Sequence, residues 1–128
     1  MANEYTTAPV VLRNADYIDG TTAGSTHVVT TASGRGKFQV TTIFLETTDL
    51  TGLITLGIVS VGTNSPNFNN IKSGMVLAAG NPDQVKVISL NENVPDIDEV
   101  TAIYVKVTTP SLATEHLFKF GIQGSYVD

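Results

Sequence analysis

LITLGIVSVGTNSPNFNNI, residues 53–71, is a β-rich apolar run that stops at Gly62 and gives way to a tail of Asn, Ser and Pro. The run 53–61 reads as a buried strand and the tail as an irregular loop. Asn64, Ser65, Pro66, Asn67, Asn69 and Asn70 each favour turn conformations, while the apolar run has the composition of a strand. Phe68 is the one aromatic of the tail, and an open loop would leave it in water. It is therefore the expected anchor that pins the loop to the body. Nothing in the stretch is a nucleophile, an acid or a usual metal ligand, so its message is architectural.

Outward from this stretch the chain keeps alternating short β-rich runs with turn clusters, the pattern of a sandwich or barrel. Residues 1–9 read as a polar arm and residues 10–128 as a single β-sandwich domain. The first run is 9–12, followed by a loop at 14–24 and a second run at 26–31. Ser33, Gly34 and Gly36 mark a turn into the long run 37–47. Strict alternation there puts Phe38, Val40, Thr42 and Phe44 on one face and Gln39, Thr41, Ile43 and Leu45 on the other. Apolar side chains then lie on both faces, which favours self-association. Residues 49–52 read as a turn, 67–72 as at most one helical turn, 75–79 as a short run and 80–83 as a strong turn. A strand is expected at 84–90 and a polar loop at 91–98. In the run 100–109, Thr101, Ile103, Val105 and Val107 share a face. In the run 112–122, Leu112, His116, Phe118, Phe120 and Ile122 share one. These last two runs read as a hairpin. Roughly eight strands predict an all-β, antiparallel sandwich, jelly-roll-like in class.

Composition narrows the functions. The 128 residues suffice for one domain that buries roughly two-thirds of its unfolded surface. There is no Cys, which excludes disulfides and thiol chemistry. Seven basic against twelve acidic residues give a net charge of −5, which argues against nucleic-acid binding and against attachment to an anionic membrane. The opening MANEYTTAP has no apolar core of a signal peptide, and no apolar run is long enough to span a membrane. Thr recurs in pairs, as at Thr41-Thr42 and Thr108-Thr109. Thr suits the solvent face of a strand, and it also gives a weakly charged surface that packs on neighbours without desolvating charge.

No catalytic constellation emerges. His27 and His116 stand without a local partner pattern, and each reads as a packed or hydrogen-bonded strand residue. Ser33-Gly34-Arg35-Gly36-Lys37 resembles a phosphate loop only superficially. Thr31 stands where the first Gly of that motif belongs, and Phe38 where a hydroxyl must hold Mg²⁺. It reads as a turn with a basic tip, Arg35 and Lys37, able to meet an acidic patch on a partner. Asp96, Asp98 and Glu99 form one acidic loop, and Asp16 and Asp19 lie in another. Neither carries the EF-hand spacing of a calcium site, so both read as solvated turns. The expectation is no catalytic residue, no cofactor and no metal.

Two segments carry a resemblance. Ser60-Val61-Gly62-Thr63-Asn64 followed by Asn67-Phe68-Asn69-Asn70-Ile71, and Val105-Lys106-Val107-Thr108-Thr109 followed by the strand 118–126, resemble small structural proteins of tailed bacteriophages. The likeness covers about the C-terminal two-thirds of the chain. It implies a non-enzymatic virion protein, of the capsid decoration (cement) or head-fibre type, made in the host cytoplasm and carried on the capsid surface. It implies the major capsid protein as partner and a homo-oligomer, most often a trimer. The chain lacks the repeats of a long fibre, which favours decoration. Expected contacts are Asn3, Glu4 and Tyr5 of the arm, with Arg35 and Lys37 at the basic tip. The alternatives are a tail or fibre component and a carbohydrate-binding adhesion module. The latter usually exposes Trp or Tyr platforms; Trp is absent, and Tyr5, Tyr17, Tyr104 and Tyr126 do not cluster in sequence.

Overall fold

The structure, a computed structural model, describes residues 9–78, 84–90 and 96–127. Its strands in chain order are β1 (Val10–Asp19), β2 (Thr26–Thr30), β3 (Lys37–Thr51), β4 (Ile58–Gly62), β5 (Lys72–Val76), β6 (Gln84–Ser89), β7 (Ala102–Thr109) and β8 (Glu115–Val127). Two four-stranded sheets result, ordered β1-β8-β3-β6 and β2-β7-β4-β5. The pairs β1–β8, β2–β7, β3–β6 and β4–β5 are all antiparallel and nested. That is how a long hairpin rolls up, with β1 to β4 as one arm and β5 to β8 as the other. The all-β, jelly-roll-like sandwich expected from the sequence is therefore present.

Between the sheets lies one apolar core. β7 contributes Ile103, Val105 and Val107, and β8 contributes Phe118, Phe120, Ile122 and Tyr126. The alternation read from the sequence holds in both strands, except that Leu112, read on the inward face, precedes β8 and is 55% exposed. Each fully buried side chain of this kind contributes about 1.5–3 kcal/mol.

β3 breaks the expected alternation, and the break explains its composition. Phe38 and Val40 are buried, but so are Ile43, Leu45 and Thr47. Against β8 the register passes from Val40↔Gly124 to Thr42↔Gln123, which leaves Thr41 as an extra residue. A bulge of this kind shifts the side-chain phase by one. Phe38 and Val40 of one set and Ile43 and Leu45 of the other therefore point inward, while Phe44 is left half-buried on the outer face, so the expected two-sided apolar surface is reduced rather than kept. A second shift between Thr47 and Asp49 leaves Thr48 over. The Thr41 and Thr48 hydroxyls donate to the Gln123 and Leu117 carbonyls of β8, each at 3.2 Å. A threonine at each bulge thus bonds the neighbouring strand through its side chain.

Other boundaries also move. β1 continues through the expected loop to Asp19, with a register shift between Asn14 and Ile18. Asn14 makes this irregularity workable: its amide donates to the Val28 carbonyl and its Oδ1 accepts from the Asp16 N–H. β3 runs through the expected turn to Thr51 and breaks at Gly52, whose φ is 63°. The run 53–61 is a strand only from Ile58, because 52–57 must carry the chain from one sheet to the other. Ile54 is 80% exposed there. No helix occurs among the described residues, and the expected helical turn is replaced by a turn at 65–67 and a left-handed Phe68 (φ 46°). β5 covers Lys72–Val76 rather than 75–79, and β8 runs from Glu115 to Val127 rather than over 112–122.

β7 and β8 do not form a hairpin, because they lie in opposite sheets. The connector between them, 110–114, donates from the Ser111 N–H to the Gly20 carbonyl and from the Thr114 N–H to the Thr51 carbonyl. Those bonds draw it across the end of the sandwich. The expected turn at 80–83, and residues 91–95 of the expected polar loop, lie outside the described residues.

Candidate functional site

One end of the sandwich gathers most of the residues singled out by the sequence. The turn between β2 and β3, the Asn-rich loop between β4 and β5, and residues 96–101 before β7 meet there. The pairings Lys37↔Val127 and Val10↔Gly124 bring the root of the N-terminal arm to this same end. Asn3, Glu4 and Tyr5 themselves lie outside the described residues.

The basic tip is engaged with its own chain. Lys37 Nζ lies 2.9 Å from Asp98 Oδ1, and both side chains are exposed. The hydrogen bond and charge of Asp98 raise the Lys37 pKa above the ordinary lysine value. The Arg35 guanidinium sits 4.8 Å over the ring of Tyr126, a cation–π contact. Tyr126 is buried, accepts the Ala32 N–H at its hydroxyl (2.8 Å), and meets Phe38 edge-on at 4.9 Å. Arg35 is thereby placed over a fixed aromatic platform.

The acidic loop is satisfied by the same neighbours. Asp96 Oδ1 accepts from Gln39 Nε2 at 2.9 Å, and Asp98 takes Lys37. At the opposite end, Asp19 Oδ1 accepts from the Thr21 N–H and hydroxyl, and Oδ2 from the Thr22 hydroxyl. These bonds, that of the Thr21 hydroxyl foremost, hold the Asp19 pKa below the usual carboxylate value. Among the described residues no group of three His, Asp or Glu is arranged to hold a metal.

The Asn-rich loop is built from its own amides. Asn64 Oδ1 accepts from the N–H groups of Asn69 and Asn70, and Asn64 Nδ2 donates to Asn69 Oδ1. Asn70 Oδ1 accepts the Thr63 N–H while its Nδ2 donates to the Thr63 hydroxyl. Side chains thus stand in for backbone partners, the usual role of Asn in turns. Lys106 of β7 donates to the Pro66 carbonyl at 2.9 Å. Gly62 is required where the loop folds back, since a Cβ there would meet the Asn69 nitrogen at 2.6 Å. Phe68 is half-buried, and its ring lies 4.4 Å from that of Tyr104 on the outer face of β7. A shallow pocket of about 140 Å³ separates this loop from the acidic loop, with Thr63, Asn70 and Ile71 on one wall and Asp96 and Thr101 on the other.

The histidines lie elsewhere. His27 is on β2, with Nδ1 2.6 Å from the Thr26 carbonyl. His116 is on β8 and fully buried, with Nδ1 2.8 Å from Ser111 Oγ. Ser111 Oγ also accepts the Gly57 N–H at 2.8 Å. His116 Nε2 makes no hydrogen bond of ordinary geometry. Burial lowers the His116 pKa, opposed by the Ala78 carbonyl and the Asp19 charge. Ser111 is only 2% exposed. The pair ties the crossing connector 110–114 to β8 and to Gly57.

No family model matches the chain, and no curated protein matches it. A chain of the solved Cyanophage Pam1 capsid asymmetric unit is similar in fold, with a TM-score of 0.61 at 15% sequence identity. The similarity covers 98% of this chain and 89% of that one. It therefore spans both sheets and both sets of connections.

Sequence reasoning found Arg35, Lys37, Phe68 and the acidic loop separately, and the fold brings them to one end. It missed Tyr126, Tyr104, Ser111 and Gly57 as partners within the fold. No local spacing marks these: Arg35–Tyr126, Phe68–Tyr104 and Gly57–Ser111 join segments distant in the chain, and Ser111 meets His116 only through the crossing connector.

Proposed function

We infer that this protein is a structural component of a phage virion, a decoration protein that binds the assembled shell and stabilises it. The observation that carries this reading is the similarity of fold, over nearly the whole chain, to a chain of a cyanophage capsid asymmetric unit. The phage-like segments around Gly62 and Val105 support it from the sequence. So does a site made of fixed loops and amides, which suits a docking surface.

A decoration protein works by mass action. It binds the assembled lattice and not the separated subunits, so each bound copy adds free energy to the assembled state. Contacts through several copies multiply by effective concentration. The end that carries Arg35, Lys37, the Asn-rich loop and the root of the arm is the proposed contact surface. Asn3, Glu4 and Tyr5 complete it, as a polar arm can order along a groove on binding.

The test adds purified protein to undecorated shells of its own phage and measures survival on heating. Saturable binding with increased survival is the expected result. Shells that ignore the protein, together with binding to tail parts or to host glycans, would move the role to the tail or to adhesion.

A further inference from the structure

Among the described residues β6 is an edge strand with a single protecting charge, Lys86. Among the described residues it pairs with β3 alone, in an unbroken register from Thr42↔Ser89 to Thr47↔Gln84. Edge strands are commonly blunted by proline, by a bulge, by shortness or by charged side chains, Lys above all. β6 reads QVKVIS, with no proline, no bulge and one charge, Lys86. Val85 and Val87 are 50% and 56% exposed on its outer face.

The hydrogen-bonding groups of this edge can be assigned. The Leu90 N–H donates to the Thr41 carbonyl at 2.9 Å. Counting back in twos along an antiparallel ladder, Ile88 and Lys86 also turn their N–H and C=O toward β3. Those of Val85, Val87 and Ser89 then point to the edge that no described residue pairs with. These are the same residues whose side chains face outward.

We propose that β6 pairs antiparallel with β6 of a second copy about a twofold axis at Val87, joining the two β1-β8-β3-β6 sheets into one. The register follows from three conditions. Like faces must match, so a residue that bonds outward must meet another. The overlap must be longest, which sets Val87 opposite the second copy's Val87 and Val85 opposite its Ser89. Like charges must not oppose one another. In this register Lys86 lies opposite the second copy's Ile88, whereas a shift by one pair of positions sets Lys86 against Lys86. Lys86 therefore selects the register. The same patch serves both copies, as a twofold contact requires. The pairing gives an even copy number, where the resemblance implies three.

The chain has no cysteine, so engineered thiols report the register directly. Cα atoms of a hydrogen-bonded antiparallel pair stand about 5.5 Å apart, within the disulfide range of about 4.4–6.8 Å. Val87→Cys should oxidise to a covalent dimer. Val85→Cys alone should not, because its counterpart lies about 14 Å along the strand. A mixture of Val85→Cys and Ser89→Cys chains should cross-link again. Light scattering of the unaltered protein should give twice the 13.6 kDa chain mass. A Val87→Cys protein that stays uncross-linked, Val85→Cys that cross-links equally well, or a solution mass of one or three chains would overturn the pairing. All of these measurements are made without shells, so their failure leaves the decoration reading to its own test.

Discussion

Ser111 Oγ stands 2.8 Å from His116 Nδ1, and both side chains are buried. The hydroxyl also accepts the Gly57 N–H, so one side chain satisfies two groups that water cannot reach. Ser111→Ala should leave both unpaired. A buried polar group without its partner costs about 1–3 kcal/mol. Urea unfolding at neutral pH should show that loss without a change of slope. A midpoint like that of the unaltered protein would mean that the connector is held by its backbone bonds alone.

His116 should make stability depend on pH. Burial lowers its pKa in the folded state below the ordinary value of 6.5. The unfolded chain therefore binds the proton first as pH falls. The stabilisation is fully present above about pH 6.5 and is lost as pH drops through the folded value. Asp19 acts in the same sense in a lower window, below its ordinary value of 3.8. Thermal unfolding followed from neutral to mildly acidic pH should show a falling midpoint, and His116→Gln should flatten that slope. A slope that survives the substitution would assign it to another group.

The strand faces of β7 and β8 were legible because a period of two depends only on neighbours. Ile103, Val105 and Val107, and Phe118, Phe120 and Ile122, sit as the pattern says. The period fails where one residue is inserted, as at Thr41, since a bulge is set by the partner strand and leaves no mark in its own. The hairpin reading of β7 and β8 failed for a related reason. A short polar connector looks the same whether it turns within a sheet or crosses to the other. The site was legible as residues and not as contacts: Lys37 and Asp98 are 61 positions apart, and only the nested pairing of strands brings them together.

Phe68 should anchor the Asn-rich loop more weakly than a core aromatic would. Its ring is half-buried against Tyr104 on the outside of the sheet, at 4.4 Å. An aromatic pair adds about 0.5–1.5 kcal/mol beyond its buried area. Phe68→Ala should therefore cost about 1–3 kcal/mol, short of the roughly 3–5 kcal/mol of a fully buried Phe. Combined with Tyr104→Ala in a double-mutant cycle, the two losses should be less than additive. Additive losses would show that the rings do not act on each other.

Lys37 and Arg35 should separate docking from stability. The Lys37–Asp98 pair is exposed on both sides, and such pairs contribute little to folding. Lys37→Ala should leave the melting temperature where it is. Arg35→Ala removes a contact over Tyr126, worth about 0.5–1 kcal/mol at an exposed site. If this end docks on the shell, both substitutions should weaken shell binding by more than they weaken the fold. Raising the salt concentration should weaken the unaltered protein's binding and affect the double variant less. Shell binding that survives both substitutions at every salt concentration would remove the basic tip from the contact surface, and leave the Asn-rich loop and the arm to carry it.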